Sequence, residues 1–515
     1  MDIFTIACIS SVFVLAIWLF SKWSFSYWKK VGLEYPQPEF LFGNTKGFLT
    51  RKLSFGDQMK VIYDELKSRG LKHGGFYMSF RPSYLPIDLD LIKTIMQKDF
   101  NHFVNHGLYF NEKSDPLSGH LFNLEDEKWR NLRARLTPTF TSGKIKMMFQ
   151  TLVSCTSGLG NILTDHSIIG DAIDIKDVVS RFTTDVIGSV AFGIECNSLK
   201  DPDSEFRHWG KRIFTFDFMR RIKNNITMLI PRDIVIKTGI KLMSRDLEDF
   251  FMNVVRSTVQ FRETHDVHRK DFMHLLLQLK NKGQIAEDDS TDKEIEIKAP
   301  GQLLTFNEIA AQCFVFFLAG FETSATTMTF ALLELALNQD VQKKLREEIN
   351  TVLDASDGEV TYEAIMKMSY LDKVVHETLR KHSPVPGTPR VCNKAYKVPG
   401  TDIVLEVGTR VHIPFQAIHW DPEYYPEPQK FDPERFSEEN KSKRHPFAFL
   451  PFGEGPRICI GARFGLLQVK VGLTAIIRNF KVTLNEKTKT PIKYATNVFI
   501  TSVDGDVWLN VEKIQ

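Results

Sequence analysis

Four short stretches of this sequence carry residue types that do chemistry, and each also has an ordinary structural use. Near the C-terminus, PFGEGPRICIGARF (451–464) sets one cysteine, Cys459, between glycines and two residues after Arg457. A thiol so placed is a nucleophile, a soft metal ligand or a small buried apolar side chain. As a nucleophile it would need a histidine and an orienting Asn or Asp brought from elsewhere in the chain. Zinc and iron–sulfur clusters need several closely spaced ligands, whereas the six cysteines (8, 155, 196, 313, 392, 459) stand singly with no C-x-x-C.

The second stretch, AGFETS (319–324), puts a glycine, an acid and a threonine into an apolar run. Gly320 there costs about 1 kcal/mol relative to alanine. Two readings stand side by side. Thr323 bonds back to the carbonyl of Ala319 while Glu322 finds a basic partner, or Gly320 makes room for a flat ligand to which Thr323 and Glu322 pass protons. The third, KVVHETLRKHSPVPGTPRV (373–391), places Glu377 and Arg380 three apart on one helix face among apolar neighbours, where a bidentate pair fixes geometry. Arg435 of FDPERF (431–436) is available to make this pair a triad. In the fourth, EKWRNLRARLTP (127–138), Trp129 and Arg133 lie four apart, so an indole N–H and a guanidinium share a face as a clamp for a carboxylate or as a solvated basic face.

The elements that must position these groups can be read from apolar periodicity. LTFNEIAAQCFVFFLAGFETSATTMTFALLELALNQ (304–339) is apolar nearly all round but carries too many polar residues for lipid, which predicts a long core helix started by Asn307 or Thr305. Phe464, Leu467, Val471 and Ala475 recur at helical spacing, so Cys459 precedes a helix N-terminus, whose positive end favours thiolate. The polar stretch 281–302 reads as a surface insertion within one domain.

The first eighteen apolar residues, IFTIACISSVFVLAIWLF (3–20), reach about 27 Å as a helix, enough to span a bilayer. Lys22, Lys29 and Lys30 come next, which by the positive-inside rule leaves the rest of the chain in the cytosol. The divisions expected are an anchor (1–21), a connector (22–45) and a catalytic domain (46–515). With 66 basic and 63 acidic residues, the net charge of +3 gives no field for nucleic acid.

Taken in order, W-x-x-x-R (Trp129, Arg133), A-G-x-E-T (319–323), E-x-x-R (Glu377, Arg380), P-E-R-F (433–436) and F-x-x-G-x-R-x-C-x-G (452–461) resemble the cytochrome P-450 haem-thiolate monooxygenases along essentially the whole chain. The detail is similar to the microsomal group, with insect xenobiotic-metabolising members nearest in pattern. The resemblance implies a mainly α fold with small β-sheets, a single cytochrome P-450 type domain with an N-terminal membrane anchor helix, and haem b between the long helix and the cysteine loop. It implies Cys459 as axial thiolate to iron and Phe452 as shield. Trp129, Arg133, Arg390 and Arg457 become propionate donors, with His106 a further candidate. Gly320 would make room for dioxygen, Thr323 and Glu322 would deliver protons, and Glu377, Arg380 and Arg435 would hold the fold.

No G-x-G-x-x-G or P-loop is present, so the electrons are expected from NADPH through a separate flavoprotein, NADPH-cytochrome P-450 reductase, with cytochrome b5 as a further partner. Lys128, Arg130, Arg135, Arg444 and Lys470 are the basic residues expected on the docking face. Phe314, Phe316, Phe317 and Phe321 are expected near an apolar substrate pocket, together with the loop 105–124, the segment 214–219, the turn after Pro384 and residues 497–503. The expected setting is the endoplasmic-reticulum membrane, and the expected substrate a small lipophilic molecule. Two other functions fit a haem-thiolate chain. A reductase-independent isomerase or dehydratase has no use for Glu322–Thr323, and a haem carrier would form no NADPH-dependent product.

Overall fold

A computed structural model describes residues 3–214, 223, 227, 232–285 and 303–514. The expected substrate-facing segment 214–219, beyond its first residue, and most of the polar insertion lie outside the described residues.

Helix α1 (Ile3–Ser24) is apolar on every side and exposed on nearly every side, and it ends three residues beyond the expected anchor. The chain beyond it is packed, not extended. Helix α2 (Tyr27–Val31) sinks Trp28 completely, its indole N–H donating to the Phe76 carbonyl at 3.0 Å. The acceptor belongs to β1 (His73–Met78), which pairs antiparallel with β2 (Arg81–Pro86). The sheet continues β1-β2-β7-β4, with β7 (Arg410–Ile413) parallel to β2 and antiparallel to β4 (Thr388–Val391). A smaller sheet joins β3 (Ile173–Asp174), β9 (Trp508–Lys513) and β8 (Phe480–Leu484), and β5 (Tyr396–Lys397) pairs with β6 (Val404–Leu405).

The helices that position the site are α3 (Asp126–Leu136), α4 (Ile175–Ile187), α5 (Phe306–Leu337), α6 (Ser369–Lys381) and α7 (Ala462–Asn479). The larger hydrophobic core gathers around α5, and a second core sits against the four-stranded sheet. Helix α5 is long and apolar enough to cross a membrane, but most of it is buried against α4, α6 and α7. Thr305, not Asn307, caps it: Glu308 N–H donates to the Thr305 hydroxyl and Thr305 N–H donates back to the Glu308 carboxylate, a reciprocal capping box. The mainly α architecture with small sheets is the one expected.

Candidate functional site

The cysteine loop is fixed by its own backbone before any side chain helps. Cys459 N–H donates to the Phe452 carbonyl at 2.9 Å and Ile458 N–H to the Gly455 carbonyl at 3.0 Å. The turn needs positive φ at Gly453 (+69°) and Gly455 (+75°), and a Cβ on Gly455 would stand 1.9 Å from the Met96 carbonyl oxygen. Gly461, the glycine on the other side of Cys459, has φ −91°, ordinary for any residue. Its contribution is its amide N–H, which bonds toward the Cys459 sulfur. Helix α7 then begins at Ala462, as the periodicity predicts.

Cys459 presents an accessible sulfur inside an enclosed setting. Burial pushes the thiol up, while the Gly461 amide and the Arg133 charge pull it down. Bound to a cation, such a sulfur is held as thiolate. The described residues contain no group of three His, Cys, Asp or Glu able to share a metal. A lone thiolate therefore suits a metal whose remaining positions are filled by a macrocycle.

The carboxylates of that macrocycle have a matching set of donors. Trp129 is buried, and the Arg457 guanidinium lies over its ring at 4.0 Å. Arg457 donates to the carbonyls of Val104, Leu121 and Leu124 (2.9, 3.2 and 2.7 Å), stapling the 104–124 loop to the cysteine loop with two N–H left over. Arg390, 2% exposed, donates to Thr388 and Pro389, and its Nε has no partner. Among the described residues none of Arg133, Arg390 and Arg457 has an ion-pair partner. Burial pulls Arg390 down to about 10, and burial with repulsion from Arg390 pulls Arg457 down to about 8. Buried cations without counter-charge are costly, so a dianion is what this cluster lacks. The residues fit a haem with two propionates. His106 joins them but donates Nδ1–H to the Phe122 carbonyl (2.8 Å), and burial beside Arg390 and Arg457 keeps it neutral. It presents an acceptor to the cluster, not a donor.

The opposite wall comes from α5. Phe316, Ala319, Gly320 and Thr323 fall on one stripe at i, i+3, i+4, i+7. Ala319 is exposed in mid-helix, and Thr323 donates its hydroxyl hydrogen to the Ala319 carbonyl. Glu322 lies on the next stripe, with Ala325, Thr326 and Thr329. It faces a cavity of about 250 Å³ lined also by Lys176, Asp177, Arg207, Ser502 and Asp506. Burial pushes its carboxyl up, Lys176 offsets this slightly, and no hydrogen bond to the carboxyl is present among the described residues. The two sequence readings of this stretch thus divide: Thr323 makes the structural bond, while Glu322 has no bonded basic partner. Gly320 shares the Ala319–Thr323 stripe and also has a packing use. A Cβ there would stand 2.5 Å from Ile187 Cδ1, so this glycine lets α4 and α5 touch.

Two further expectations are corrected. Phe314, Phe317 and Phe321 lie on the far side of α5 from Ala319, packed into an aromatic cluster with Phe192, Phe206 and Phe251. Of the four phenylalanines only Phe316 shares the Ala319–Thr323 stripe. The docking face is not basic as drawn. Lys470 is buried on Asp372 at 2.6 Å, Lys128 pairs with Glu112, and Arg444 lies over Tyr425 and Phe436. Arg135 has two buried guanidinium nitrogens. Of the five, Arg130 and Lys128 are solvent-facing, Arg130 donating to Asn101 at 2.7 Å.

Glu377, Arg380 and Arg435 form the expected triad. Arg380 donates bidentately to Glu377 (2.7 and 2.8 Å), Asp432 N–H donates at 3.0 Å, and Arg435 Nε stands 3.5 Å away. Sequence reasoning missed how this reaches the cysteine loop. Arg380 also donates to the His419 carbonyl, and Leu450 N–H donates to His419 Nε2 at 2.8 Å, so Nδ1 carries the proton and donates to Ser383 Oγ. Burial pushes His419 down to about 3, which keeps this neutral tautomer. Nothing local in FQAIHWDP marks His419, because its partners lie 31 and 36 residues away.

A lone enclosed thiol facing unpaired buried arginines, beneath a long core helix, defines a haem-thiolate protein. A family-wide sequence profile described as Cytochrome P450 matches residues 34–508, and the chain belongs to that family. It is similar to "Probable cytochrome P450 6a14" of Drosophila melanogaster, 44% identical over 99% of this chain and 100% of the relative. It is also similar to "Cytochrome P450 6A1" of Musca domestica, 41% identical over 96% and 95%, and to "Cytochrome P450 6a2" of Drosophila melanogaster, 41% identical over 95% and 96%. The chain is accordingly a monooxygenase, an oxidoreductase with a haem iron cofactor and a redox partner.

Proposed function

We propose that the chain is a membrane-anchored monooxygenase that inserts one atom of dioxygen into a lipophilic substrate, either a xenobiotic such as a plant toxin or insecticide or an endogenous lipid or hormone. Electrons come from NADPH through a separate flavoprotein reductase, with cytochrome b5 as a second donor. The observation that carries this reading is the accessible sulfur of Cys459 beside two buried arginines, Arg390 and Arg457, and the half-buried Arg133, none of them in an ion pair among the described residues. Haem, when bound, supplies the activation of dioxygen and the transfer of one oxygen atom.

The chain's own residues do the rest. Cys459 ligates the iron, with its sulfur held by the Gly461 amide. Trp129, Arg133, Arg390 and Arg457 take the propionates, and Phe452, whose carbonyl already anchors Cys459, limits water at the sulfur. Glu322 takes up a proton from the charged cavity at its own stripe, and Thr323, on the adjoining stripe, rests with its hydroxyl hydrogen on the Ala319 carbonyl and would release that bond to pass a proton on. A carboxyl whose affinity for protons is raised by burial suits that hand-over. The turn after Pro384 and residues 497–503 bound the substrate side, supported by Ser502 and Val503 lining the cavity beside Glu322. Helix α1, roughly 33 Å long by its 22 residues, is long enough to span a bilayer at the endoplasmic reticulum and leave the domain in the cytosol.

The test is reconstitution of the full chain with reductase in liposomes, with NADPH consumption and oxygenated product measured together. Cys459→Ser is expected to abolish the carbon-monoxide Soret band typical of thiolate ligation, and a retained band refutes the ligand. Thr323→Ala is expected to keep haem and NADPH oxidation while product falls about tenfold or more, the rest appearing as peroxide; unchanged coupling refutes the proton role.

A further inference from the structure

At the C-terminal half of α5 a buried polar knot serves none of the roles above. Glu334 accepts from Lys381 Nζ at 2.8 Å and from His382 Nε2 at 2.7 Å. Because the carboxylate can only accept, the His382 proton sits on Nε2, and Nδ1 accepts from the Tyr494 hydroxyl at 2.9 Å. The imidazole is clamped flat on Phe330, ring centroids 4.1 Å apart and planes 4° from parallel. Burial pulls His382 below its ordinary value, so this neutral form is the one that persists.

Tyr494 opens a short hairpin. It bridges Val503, Ala495 N–H donates to Ser502 at 2.8 Å, and Thr501 N–H donates to the Pro384 carbonyl at 2.9 Å. No residue from 491 to 500 is buried, so the hairpin's outgoing strand has no core of its own. Two-stranded ribbons without a packed face are marginal. Its position must therefore come from where it is pinned: Thr501 at Pro384, Phe499 against Phe55 (ring centroids 5.1 Å apart), the Val503 carbonyl at Lys176 Nζ (3.0 Å), and the Tyr494 hydroxyl at His382, with the Lys381 carbonyl farther off at 3.3 Å. Of these, only the Tyr494 bond reaches a side chain fixed on two further sides, by Glu334 and by Phe330.

We infer that His382 is a positioning residue: through Tyr494 it sets the register of the 494–503 hairpin and so the shape of the substrate side of the site. This rests on the proposal that the hairpin bounds the substrate. His382 itself touches no substrate and no cofactor atom. Its two nitrogens are spent on Glu334 and Tyr494, so any change at this position moves the hairpin before it alters the chemistry.

The experiment uses the haem-loaded full chain and two iron-binding probes, imidazole and clotrimazole, whose spectral Kd values are read separately. The small probe ignores the hairpin and the large one meets it. His382→Phe keeps the stack on Phe330 and loses both hydrogen bonds, Tyr494→Phe loses the one to His382 together with the longer contact to the Lys381 carbonyl, and His382→Gln offers an amide N–H to Glu334 and an oxygen to Tyr494. For the two phenylalanine variants the clotrimazole-to-imidazole Kd ratio is expected to shift about fivefold, the weight of one net hydrogen bond. The imidazole value should stay put, amide exchange at Ala495 and Thr501 should quicken, and His382→Gln should lie nearer the parent.

An unchanged ratio with unchanged exchange in Tyr494→Phe overturns the inference, and this variant decides the matter if His382→Phe does not fold. Ile500→Ala, in the hairpin tip, separates the two layers of argument. If it shifts the ratio while Tyr494→Phe does not, the role of His382 fails and the hairpin still bounds the substrate. If exchange quickens but neither variant moves the ratio, the hairpin is not a substrate wall.

Discussion

Two arginines, Arg380 and Arg390, lie ten residues apart, both fully buried, and they are used in opposite ways. Arg380 is neutralised: Glu377 takes two of its hydrogen bonds, and the His419 carbonyl takes a third. Arg390 has two neutral acceptors, no carboxylate and an orphaned Nε, and it repels Arg457. The first is a finished structural pair, and the second is a charge with no counter-charge among the described residues. Burial alone does not tell a structural cation from a binding one, whereas the presence or absence of a counter-charge does.

The comparison can be broken from the largest effect downward. Glu377→Gln should strand two buried arginines at once, costing about 3–5 kcal/mol and preventing accumulation of folded protein; soluble holoprotein with near-normal Tm would show the pair to be dispensable. Arg390→Met should act in the reverse sense. The haem-free chain should be at least as stable as the parent because an uncompensated buried charge is gone, while haem is retained far more weakly. Equal destabilisation of both forms would place Arg390 with Arg380 among the structural arginines.

Gly320→Ala should cost about 1–3 kcal/mol by pressing on Ile187, and Ile187→Val in the same chain should recover part of it. If the loss appears only in oxygen coupling and not in thermal unfolding, the glycine belongs to the chemistry instead. The smallest effect is expected at the Asp372–Lys470 pair. Burial would raise the Asp372 carboxyl, but His376 and Lys470 hold it far below the usual range. A carboxyl depressed in the fold stabilises above its unfolded value near 4 and stops doing so as pH falls through the folded value. Asp372→Asn should therefore lower Tm at pH 7 by a few degrees, with the gap from the parent narrowing in acid.

What the sequence made legible was what is local. The capping box of α5 is readable from a Thr and a Glu three residues apart, the Glu377–Arg380 face from the same spacing, and the helix after Cys459 from its apolar period. The cysteine loop was readable as a motif, but its need for glycine at 455 depends on Met96, more than three hundred residues earlier. The packing use of Gly320 was out of reach for the same reason, since Ile187 belongs to another helix. The basic docking face failed because a lysine's meaning is set by its neighbours, and Glu112 and Asp372 had already taken Lys128 and Lys470. The three phenylalanines were near in sequence to Thr323 but 180° or so away around the helix, which a period of 3.6 residues foretells once it is applied.

The junction of α1 with the domain has a mechanical meaning. Ser24 Oγ donates to the Phe80 carbonyl, Phe20 packs edge-on against Phe80, and Trp28 is locked into the hairpin beyond. A flexible leash would let the body tumble independently of its attachment. This joint makes the helix a lever arm instead, so the tilt of α1 and the tilt of the whole domain are one variable, and whatever aligns the first aims the second.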